Sequence, residues 1–365
     1  MSYNIGIIGG GQLGMMMCEE AKKLGLTTIV LDPSSDCPCS TIADELIVGQ
    51  YNDLAKLDEL GSKAELLSYE FENVDGKALE MLHGKFHIPQ GIQPLLDSQD
   101  RLREKDNANK HGLPTVRYHN VLTLEDLKEA IKDIGYPLIY KTRREGYDGH
   151  GQVVLKSDED IKKVLPYLEE KALGIVEEKL DFDYECSLIM IRSHDQIIHF
   201  PVGRNIHKDG ILDISAVPVK MEESTLTEMI KRSEDFMKSA SYYGILTIEY
   251  FVKGDKFYFN EMAPRPHNSG HYTIEGCNTN QFRELDKFLI GERMEEPVLL
   301  SPTLMKNILG RDMKNLTKLQ EIPASHLHMY HKSEERPLRK LGHITYNNLT
   351  LDEYLSYKEK LNIEE

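Results

Sequence analysis

The segment Ile245–His271, ILTIEYFVKGDKFYFNEMAPRPHNSGH, contains the pattern on which the fold assignment depends. Two strand-like runs flank Gly254-Asp255, which is typical of a β-hairpin with a loop of two or three residues. A three-residue loop places Glu249 directly opposite Glu261, on one face of the hairpin. Together with Asn260, these carboxylates offer the oxygen ligands that Mg²⁺ prefers. Two exposed acids on an edge hairpin are the alternative.

The loop after these acids carries side chains that bind anions. Arg265 offers a planar fork for a phosphate or another oxyanion, and His267 and Asn268 follow it closely. Pro264 and Pro266 stiffen the loop and hold these side chains in place. We therefore predict an anion site beside the metal, against the alternative that the loop is only structural.

Two upstream segments fit a nucleotide site. Lys141 precedes the glycine-rich loop Gly146–Gln152, GYDGHGQ, whose backbone N–H groups can cover phosphates. This loop lacks the G-x-x-x-x-G-K-[ST] pattern of a P-loop. The strand end Glu177–Leu180, followed by Glu185, can bind an adenine edge and ribose hydroxyls. The alternatives are a plain surface hairpin for the loop and a solvated acidic end for the strand.

The N-terminal region alternates short strands with helices, which predicts a parallel α/β sheet. The expected strands are Ile5–Ile8, Thr27–Leu31 and Glu65–Phe71. After the first strand, Gly9, Gly11 and Gly14 form a G-x-G-x-x-G pattern, and Asp32 ends the second strand. Taken alone, this pattern indicates NAD or FAD binding. The alternative is a tight strand–helix turn that binds no dinucleotide and can hold another phosphorylated ligand.

Length and composition limit the function classes. The 365 residues suffice for two or three domains, and we expect segments at 1–97, 98–297 and 298–365. The net charge of −16 argues against a general nucleic-acid partner. We find no run of about 18 apolar residues and no signal-peptide pattern, so no membrane is expected. Five cysteines without framework spacing favour a reducing cytoplasm.

The combined motifs resemble those of the ATP-grasp enzymes. Within that superfamily the chain is similar to the 5-(carboxyamino)imidazole ribonucleotide synthases, which carboxylate aminoimidazole ribonucleotide in purine biosynthesis. The matching stretches, between residues 9 and 343, are GGGQLG, GYDGHGQ, RNIHKDGIL, NEMAPRPHNSGHYT, KNILG and RPLRKLGH. The resemblance implies an α/β and α+β architecture: an ATP-grasp fold with an N-terminal Rossmann-like parallel-sheet domain and a small C-terminal β-rich domain. It also implies ATP and Mg²⁺ as cofactors, aminoimidazole ribonucleotide and bicarbonate as substrates, and a homodimer.

The resemblance further implies a role for each matching residue. ATP would be bound by Arg101, Lys141, Gly146, Tyr147, Asp148, Gly149, His150, Gly151, Gln152, Glu177, Glu178, Lys179, Leu180, Glu185, His207, Asn260 and Glu261. Mg²⁺ would be bound by Glu249 and Glu261. Bicarbonate and the carboxyphosphate made from it would be held by Arg265, His267 and Asn268, with His267 or Asp148 as candidate base. The ribonucleotide would contact Gly11, Gln12, Leu13, Glu70, Asp148, Lys332, Arg339 and Lys340, with Glu72 as the alternative to Glu70.

Several alternatives stay open at this point. The basic residues Lys332, Arg336, Arg339 and Lys340 suit a 5′-phosphate, but they also suit a solvated loop. His326, His328 and His331 can be read as zinc ligands, although alternation along a strand explains the first two better. Three rival functions remain: a sister ATP-grasp ligase such as formate-dependent glycinamide ribonucleotide transformylase or biotin carboxylase, an NAD-dependent oxidoreductase, and a non-catalytic nucleotide-binding protein.

Overall fold

The computed structural model of the chain describes residues 3–144, 151–332 and 335–363. Five of the predicted site residues lie outside these ranges: Gly146, Tyr147, Asp148, Gly149 and His150. The described strands form three sheets. No helix formed by the described residues combines the length and the apolar character that a membrane span requires.

The first sheet is parallel and has the strand order β3-β2-β1-β4. Its strands are β1 (Asn4–Ile8), β2 (Thr27–Asp32), β3 (Glu45–Val48) and β4 (Leu66–Tyr69). Its helices are α1 (Gln12–Lys23), α2 (Leu54–Lys63), α3 (Gly76–Lys85) and α4 (Gln93–Ser98). The predicted parallel sheet is confirmed, but β3 was missed because it is a four-residue edge strand with exposed residues at both ends.

Burial explains why these strands read as apolar runs. Helices cover both faces of a parallel sheet, so β1 and β4 are buried almost throughout. The carboxylates of Asp53 and Asp75 accept hydrogen bonds from the first backbone N–H groups of α2 and α3, which fixes where these helices begin. Because β1, β2 and β4 are parallel, their carboxyl ends lie at the same edge of the sheet.

The second sheet is antiparallel, with the order β5-β8-β6-β7. Its strands are β5 (Tyr118–Val121), β6 (Leu138–Thr142), β7 (Gln152–Leu155) and β8 (Gly174–Glu178). The helices of this part of the chain are α5 (Arg101–Lys110), α6 (Leu124–Ile134) and α7 (Leu165–Glu169). In the sequence, the glycine-rich segment lies between β6, which ends at Thr142, and β7, which begins at Gln152.

The third sheet has nine strands, in the order β14-β13-β9-β11-β12-β15-β17-β16 with β10 on β9. Its strands are β9 (Tyr184–Arg192), β10 (Ile197–His199), β11 (Gly203–Lys208), β12 (Ile211–Val217), β13 (Gly244–Lys253), β14 (Lys256–Ala263), β15 (Thr303–Leu309), β16 (Ser325–Met329) and β17 (Lys340–Asn347). The remaining helices are α8 (Glu223–Ser239), α9 (Thr273–Gly276), α10 (Gln281–Leu289), α11 (Leu316–Gln320) and α12 (Leu351–Lys360). Because β12 pairs with β15, the C-terminal strands continue this sheet rather than forming a sheet of their own.

The hairpin β13–β14 carries the predicted metal ligands. Lys253 pairs with Lys256, so the loop has two residues, the shorter of the two lengths that the sequence left open. A regular two-residue hairpin would pair Glu249 with Asn260. A β-bulge instead leaves Asn260 out of the pairing and sets Glu249 opposite Glu261. The predicted pairing of the two carboxylates is therefore confirmed, although it arises from the bulge.

Candidate active site

A cavity of about 960 Å³ lies where the three sheets meet. The predicted site residues that line it are Gly11, Gln12, Leu13, Glu70, Arg101, Lys141, Gln152, Glu177, Glu178, Lys179, Leu180, Glu185, His207, Glu249, Asn260, Glu261, Arg265, His267, Asn268 and Lys340. Gly151, Lys332 and Arg339 are described but do not line the cavity. The structure thus brings most of the described candidates into one space, although they come from distant parts of the chain.

Acidic groups gather at the hairpin end of the cavity. Glu249 is buried, and burial together with the charge of Glu261 raises its pKa to about 8. Glu261 pairs with Arg101 at 3.3 Å and faces the cavity. Burial also raises the pKa of Glu261, but Arg101 and Lys141 outweigh it and lower that pKa, so it is Glu249 that lacks a compensating positive charge, which a divalent cation would supply. With the side-chain oxygen of Asn260, they fit the ligand preference of Mg²⁺.

His207 extends this acidic corner. Its Nδ1 lies 3.0 Å from a carboxylate oxygen of Glu185, and burial, which lowers the pKa of His207, is outweighed by that carboxylate. Ligand atoms of Glu185, His207 and Glu249 all lie within 4.8 Å of one another, so this group too can hold a cation. Among the described residues, metal-ligand geometry occurs here and not at the histidines of β16. His328 instead bonds Glu275 at 2.6 Å and stacks on His343.

Two buried lysines share one carboxylate beside this corner. Lys141 Nζ donates to Glu177 Oε2 at 2.8 Å, and Lys105 Nζ lies 3.5 Å from Glu177 Oε1. Burial raises the pKa of Glu177, but the two ammonium groups outweigh it and bring the pKa to about 2. The Glu177 carboxylate also lines the cavity, and its interpretation as an adenine or ribose ligand stays a prediction. Glu177 holds Lys141 in place, and Glu185 remains a candidate for the ribose.

Apolar side chains form the wall next to the strand end Glu177–Leu180. The rings of Phe182 and Phe251 stack with their centroids 4.6 Å apart, and Ile139 lines the same cavity. Flat apolar surfaces of this kind suit the faces of a purine base. Sequence reasoning missed these three residues because Ile139 and Phe251 lie in strands, where they read as ordinary core positions, and Phe182 is a single aromatic residue between β8 and β9.

The segment Ala263–Asn268 lines the part of the cavity where the sequence predicts an anion site. Arg265 pairs with Glu72 at 2.9 Å. The backbone N–H of His267 donates to the side-chain oxygen of Gln281 at 2.9 Å. The side-chain nitrogen of Gln281 donates to the backbone carbonyl of His267 at 2.8 Å. Within the described part of the chain, both polar atoms of the Asn268 side chain are buried without a hydrogen-bond partner. A buried amide without partners is costly, so it fits a ligand that completes its hydrogen bonds.

His267 lines the cavity, and its ring is held at Nδ1 by Ser269, whose backbone N–H donates to it at 3.3 Å. Burial lowers the pKa of His267 well below the usual value, and the charges of Arg265 and Lys340 add to this. Its Nδ1 bonds Ser269 Oγ at 2.8 Å, while its Nε2 lies 3.6 Å from Glu249. The imidazole is therefore neutral near pH 7, with Nε2 at the cavity side of the ring.

The glycine turn is occupied by the protein's own carboxylates. The N–H of Gly10 donates to Asp32 at 2.8 Å, and the N–H of Gly11 donates to Glu70 at 2.8 Å. The hydroxyl of Tyr51 also donates to Asp32 at 2.8 Å. A dinucleotide pyrophosphate at this turn would meet two carboxylates instead of free N–H groups. The geometry therefore disfavours the NAD or FAD alternative.

Glu70 and Glu72 both line the cavity, with different partners. Burial raises the pKa of Glu70 to about 7, against the lowering effects of the Gly11 N–H and of Arg265. Glu72 is engaged by Arg265, which fits a role in orienting that guanidinium. Burial and the charges of Arg339 and Lys340 lower the pKa of Lys332 to about 8. The choice between Glu70 and Glu72 as a substrate contact stays a prediction.

Helix α5 contributes residues that the sequence analysis missed. Glu104 accepts the backbone N–H of Met262 at 2.5 Å, and Lys105 donates to the carbonyl of Asn260 at 3.1 Å. Both are buried, although they belong to a helix whose sequence is almost entirely polar. The available signal was the spacing of Arg101, Glu104 and Lys105 at i, i+3 and i+4, which places them on one helix face.

Three family models match successive parts of the chain. They describe a ribonucleotide synthetase preATP-grasp domain (residues 2–95), an ATP-grasp domain (106–282) and a phosphoribosylaminoimidazole carboxylase C-terminal domain (303–356). A curated relative from Staphylococcus aureus strain MSSA476, named N5-carboxyaminoimidazole ribonucleotide synthase, is 40% identical over 356 residues, which is 94% of each chain.

Two solved structures resemble the chain over almost its full length. The N5-carboxyaminoimidazole synthetase from Staphylococcus aureus, complexed with ADP, has a TM-score of 0.92 and 39% identity, covering 99% of this chain and 96% of that one. An enzyme from Aspergillus clavatus, in complex with ADP and 5-aminoimidazole ribonucleotide, has a TM-score of 0.89 and 26% identity, covering 99% and 98%.

Proposed function

The chain belongs to the N5-carboxyaminoimidazole ribonucleotide synthase family, and from this premise we propose how its own residues carry the reaction. The protein is an ATP-dependent ligase of the ATP-grasp type, which carboxylates 5-aminoimidazole ribonucleotide in purine biosynthesis. The family sets aside the oxidoreductase and the sister-ligase alternatives. One observation carries the residue assignment: a single cavity joins the acidic corner, the Lys141–Glu177 pair and the unpartnered amide of Asn268.

The acidic corner and Lys141 are proposed to bind ATP and its cation. Glu249, Glu261 and Asn260 would hold Mg²⁺, which when bound offsets the negative charge of the phosphate oxygens. The ammonium group of Lys141, which is held by its hydrogen bond to Glu177, is proposed to bind the same phosphates. The stacked rings of Phe182 and Phe251 flank the space for the base, and Glu185 with His207 faces the ribose.

Bicarbonate is proposed to bind at Arg265 and Asn268. Its oxygen attacks the γ-phosphorus of ATP, the bond from that phosphorus to ADP breaks, and carboxyphosphate forms. The guanidinium of Arg265 stabilises the charge that develops on the transferred group. Asn268 completes its hydrogen bonds with the same anion, which orients it for attack.

The amine of the ribonucleotide then forms the carbon–nitrogen bond. Carboxyphosphate breaks down to CO₂ and phosphate inside the cavity, and the amine attacks CO₂ to give the carbamate. The neutral imidazole of His267 or the released phosphate takes the proton that the amine loses. Glu70 and the glycine turn line the same cavity and are proposed to contact the ribonucleotide.

Phosphate release from Mg-ATP and bicarbonate, with and without aminoimidazole ribonucleotide, tests this proposal. We expect a large ribonucleotide-dependent rise, with one carbamate formed for each ADP. A rise that instead requires glycinamide ribonucleotide and formate would keep the ATP site and replace the substrate. No ATP turnover with either pair would contradict the proposed site.

Lys332 gives a prediction for the substrate side. Lys332→Ala should raise the KM for aminoimidazole ribonucleotide roughly 10- to 100-fold, because a charge-assisted phosphate contact is lost. The KM for ATP should change less than about twofold. Equal effects on both would remove Lys332 from the phosphate site, and Lys318→Ala, at the far end of the C-terminal region, is the control.

The lowered pKa of Lys332 makes its contribution depend on pH. The ammonium is present below its pKa of about 8 and is lost as the pH rises above it. We therefore expect the KM for the ribonucleotide to rise as the pH passes from 8 to 9. Lys332→Arg keeps its charge over this range, so its KM should stay level; a parallel rise in this variant would assign the effect to another group.

Assembly, location and domain limits are proposed on narrower grounds. The family resemblance implies a homodimer, and exposed Val298 and Leu300 supply an apolar surface that a second copy could cover. Light scattering should then give twice the chain mass of 41.8 kDa. Five buried cysteines, all free thiols, support a cytoplasmic location. The three family matches fall inside segments 1–97, 98–297 and 298–365, which supports that division.

A further inference from the structure

Strand β14 lies at the edge of the nine-stranded sheet, and its outer side is covered by residues other than a strand. The N–H of Phe259 donates to the carbonyl of Pro114, and the N–H of Met262 donates to Glu104. Between them, the carbonyl of Asn260 accepts from Lys105. An unpaired edge normally bonds water or another strand, whereas here the Pro114 carbonyl and two charged side chains of helix α5 supply the hydrogen bonds.

The contact to Asn260 falls on the residue that forms the bulge. Without the bulge, the two-residue loop would pair Glu249 with Asn260 and turn Glu261 toward the other face of the hairpin, because neighbouring residues of a strand alternate. The bulge thus decides whether Glu261 reaches the cavity. Asn260 is left out of the regular pairing, and its carbonyl accepts a hydrogen bond from Lys105, which is only 1% exposed.

The same ammonium also contacts the four-stranded antiparallel sheet. Lys105 Nζ lies 3.5 Å from Glu177 on β8, and Glu177 in turn holds Lys141 on β6. Asn260 belongs to the nine-stranded sheet, whereas Glu177 and Lys141 belong to the four-stranded antiparallel sheet. One side chain on α5 therefore connects the strand with the metal ligands to the lysine assigned to the phosphates.

We propose that Lys105 is a positioning residue, which holds the Asn260 bulge and sets the metal ligands in register with Lys141. This inference rests on the proposed function, since it assigns Glu249 and Glu261 to the cation and Lys141 to the phosphates. Lys105 itself does not line the cavity. Its effect on catalysis therefore passes through Asn260 and Glu177.

Lys105→Met tests the proposal, because methionine fills a similar volume and cannot donate a hydrogen bond. Glu177 keeps Lys141 as its partner in this variant, so no buried charge is left alone. We expect the Mg²⁺ concentration for half-maximal activity to rise roughly 10-fold, as for other residues that orient metal ligands. The KM for aminoimidazole ribonucleotide should stay within about twofold of the wild type.

Two variants complete the experiment. Lys110→Met, at an exposed position of the same helix, should leave every constant unchanged. Lys105→Arg keeps a charged donor and should recover most of the Mg²⁺ dependence that methionine loses. If Lys105→Met does not fold, Lys105→Gln takes its place with the same measurement.

The outcomes separate this inference from the proposed function. A folded Lys105→Met with wild-type Mg²⁺ dependence would overturn the positioning role. So would equal increases in the Mg²⁺ requirement and in the ribonucleotide KM, which indicate general loosening. Loss of the carboxylation reaction in the wild type as well would instead contradict the proposed function. A selective shift in the Mg²⁺ requirement, reversed by arginine, supports the role.

Discussion

Replacing Glu261 with glutamine is expected to lower kcat for ATP cleavage by roughly 1000-fold, the largest loss predicted for this protein. Glutamine keeps the size of the side chain and removes its negative charge. Glu261 faces the cavity opposite the buried Glu249, and these two carboxylates are the core of the proposed Mg²⁺ site. With one charge gone, the site binds its cation more weakly and the phosphates of ATP are less well neutralised.

The fold should survive this change. Neutralising residue 261 removes the repulsion that, with burial, raises the pKa of Glu249 to about 8, but it also removes the ion pair with Arg101. Burial raises the pKa of Glu261, and Arg101 and Lys141 outweigh it and lower that pKa, so we expect a small fall in the Tm of Glu261→Gln without nucleotide. Phosphate release across a range of Mg²⁺ concentrations gives the kinetic result, with the exposed Glu223→Gln as control. Normal turnover of Glu261→Gln at ordinary Mg²⁺ concentrations would contradict the assignment of Glu261 as a Mg²⁺ ligand.

Replacing Arg265 with alanine is the second large change, and we expect it to lower kcat by roughly 100- to 1000-fold. Arg265 lies in the loop with Asn268, where bicarbonate and the transferred phosphoryl group are proposed to meet. The variant Arg265→Lys should recover only part of the activity, since a point charge replaces a planar fork. The variant Arg265→Ala should bind ADP as the wild type does, because the guanidinium is assigned to the other end of the cavity.

Two measurements decide the role of Arg265. Phosphate release at increasing bicarbonate should show a higher KM for bicarbonate in Arg265→Lys, and calorimetry should show unchanged ADP affinity. Arg283→Ala, which removes a half-exposed arginine near Glu20, serves as the control. If Arg265→Ala weakens ADP binding and leaves the bicarbonate dependence intact, the two ends of the cavity have been assigned the wrong way round.

Residues that lie close together in the chain were the most predictable part of the site. The acids of the hairpin and the loop with Arg265, His267 and Asn268 form one continuous segment, so their proximity follows from chain connectivity. The pairing register of the β13–β14 hairpin was harder to predict. Loop length alone would have set Glu249 against Asn260, and the compensating bulge depends on Lys105 and Glu104, which approach from a helix about 150 residues earlier.

Long-range partners account for what the sequence could not show. Asp32 fits the ribose-binding acid of a dinucleotide site by position, and only the structure shows its carboxylate turned onto Gly10. Glu177 fits a ribose ligand by its place at a strand end, and only the structure shows that its carboxylate also contacts two lysines, one from β6 and one from α5. Strand β3 is short and exposed at both ends, so its sequence carries little apolar signal.

The pairing of β12 with β15 has a mechanical consequence. Lys340 begins β17, the next-to-last strand of the nine-stranded sheet, and Glu261 lies on β14 at the opposite edge, so continuous backbone hydrogen bonds join the two. The positions of these two residues are therefore fixed relative to each other within one sheet. Cutting the chain between residues 297 and 298 would bare the long edge of β12, and the shortened protein should self-associate through it.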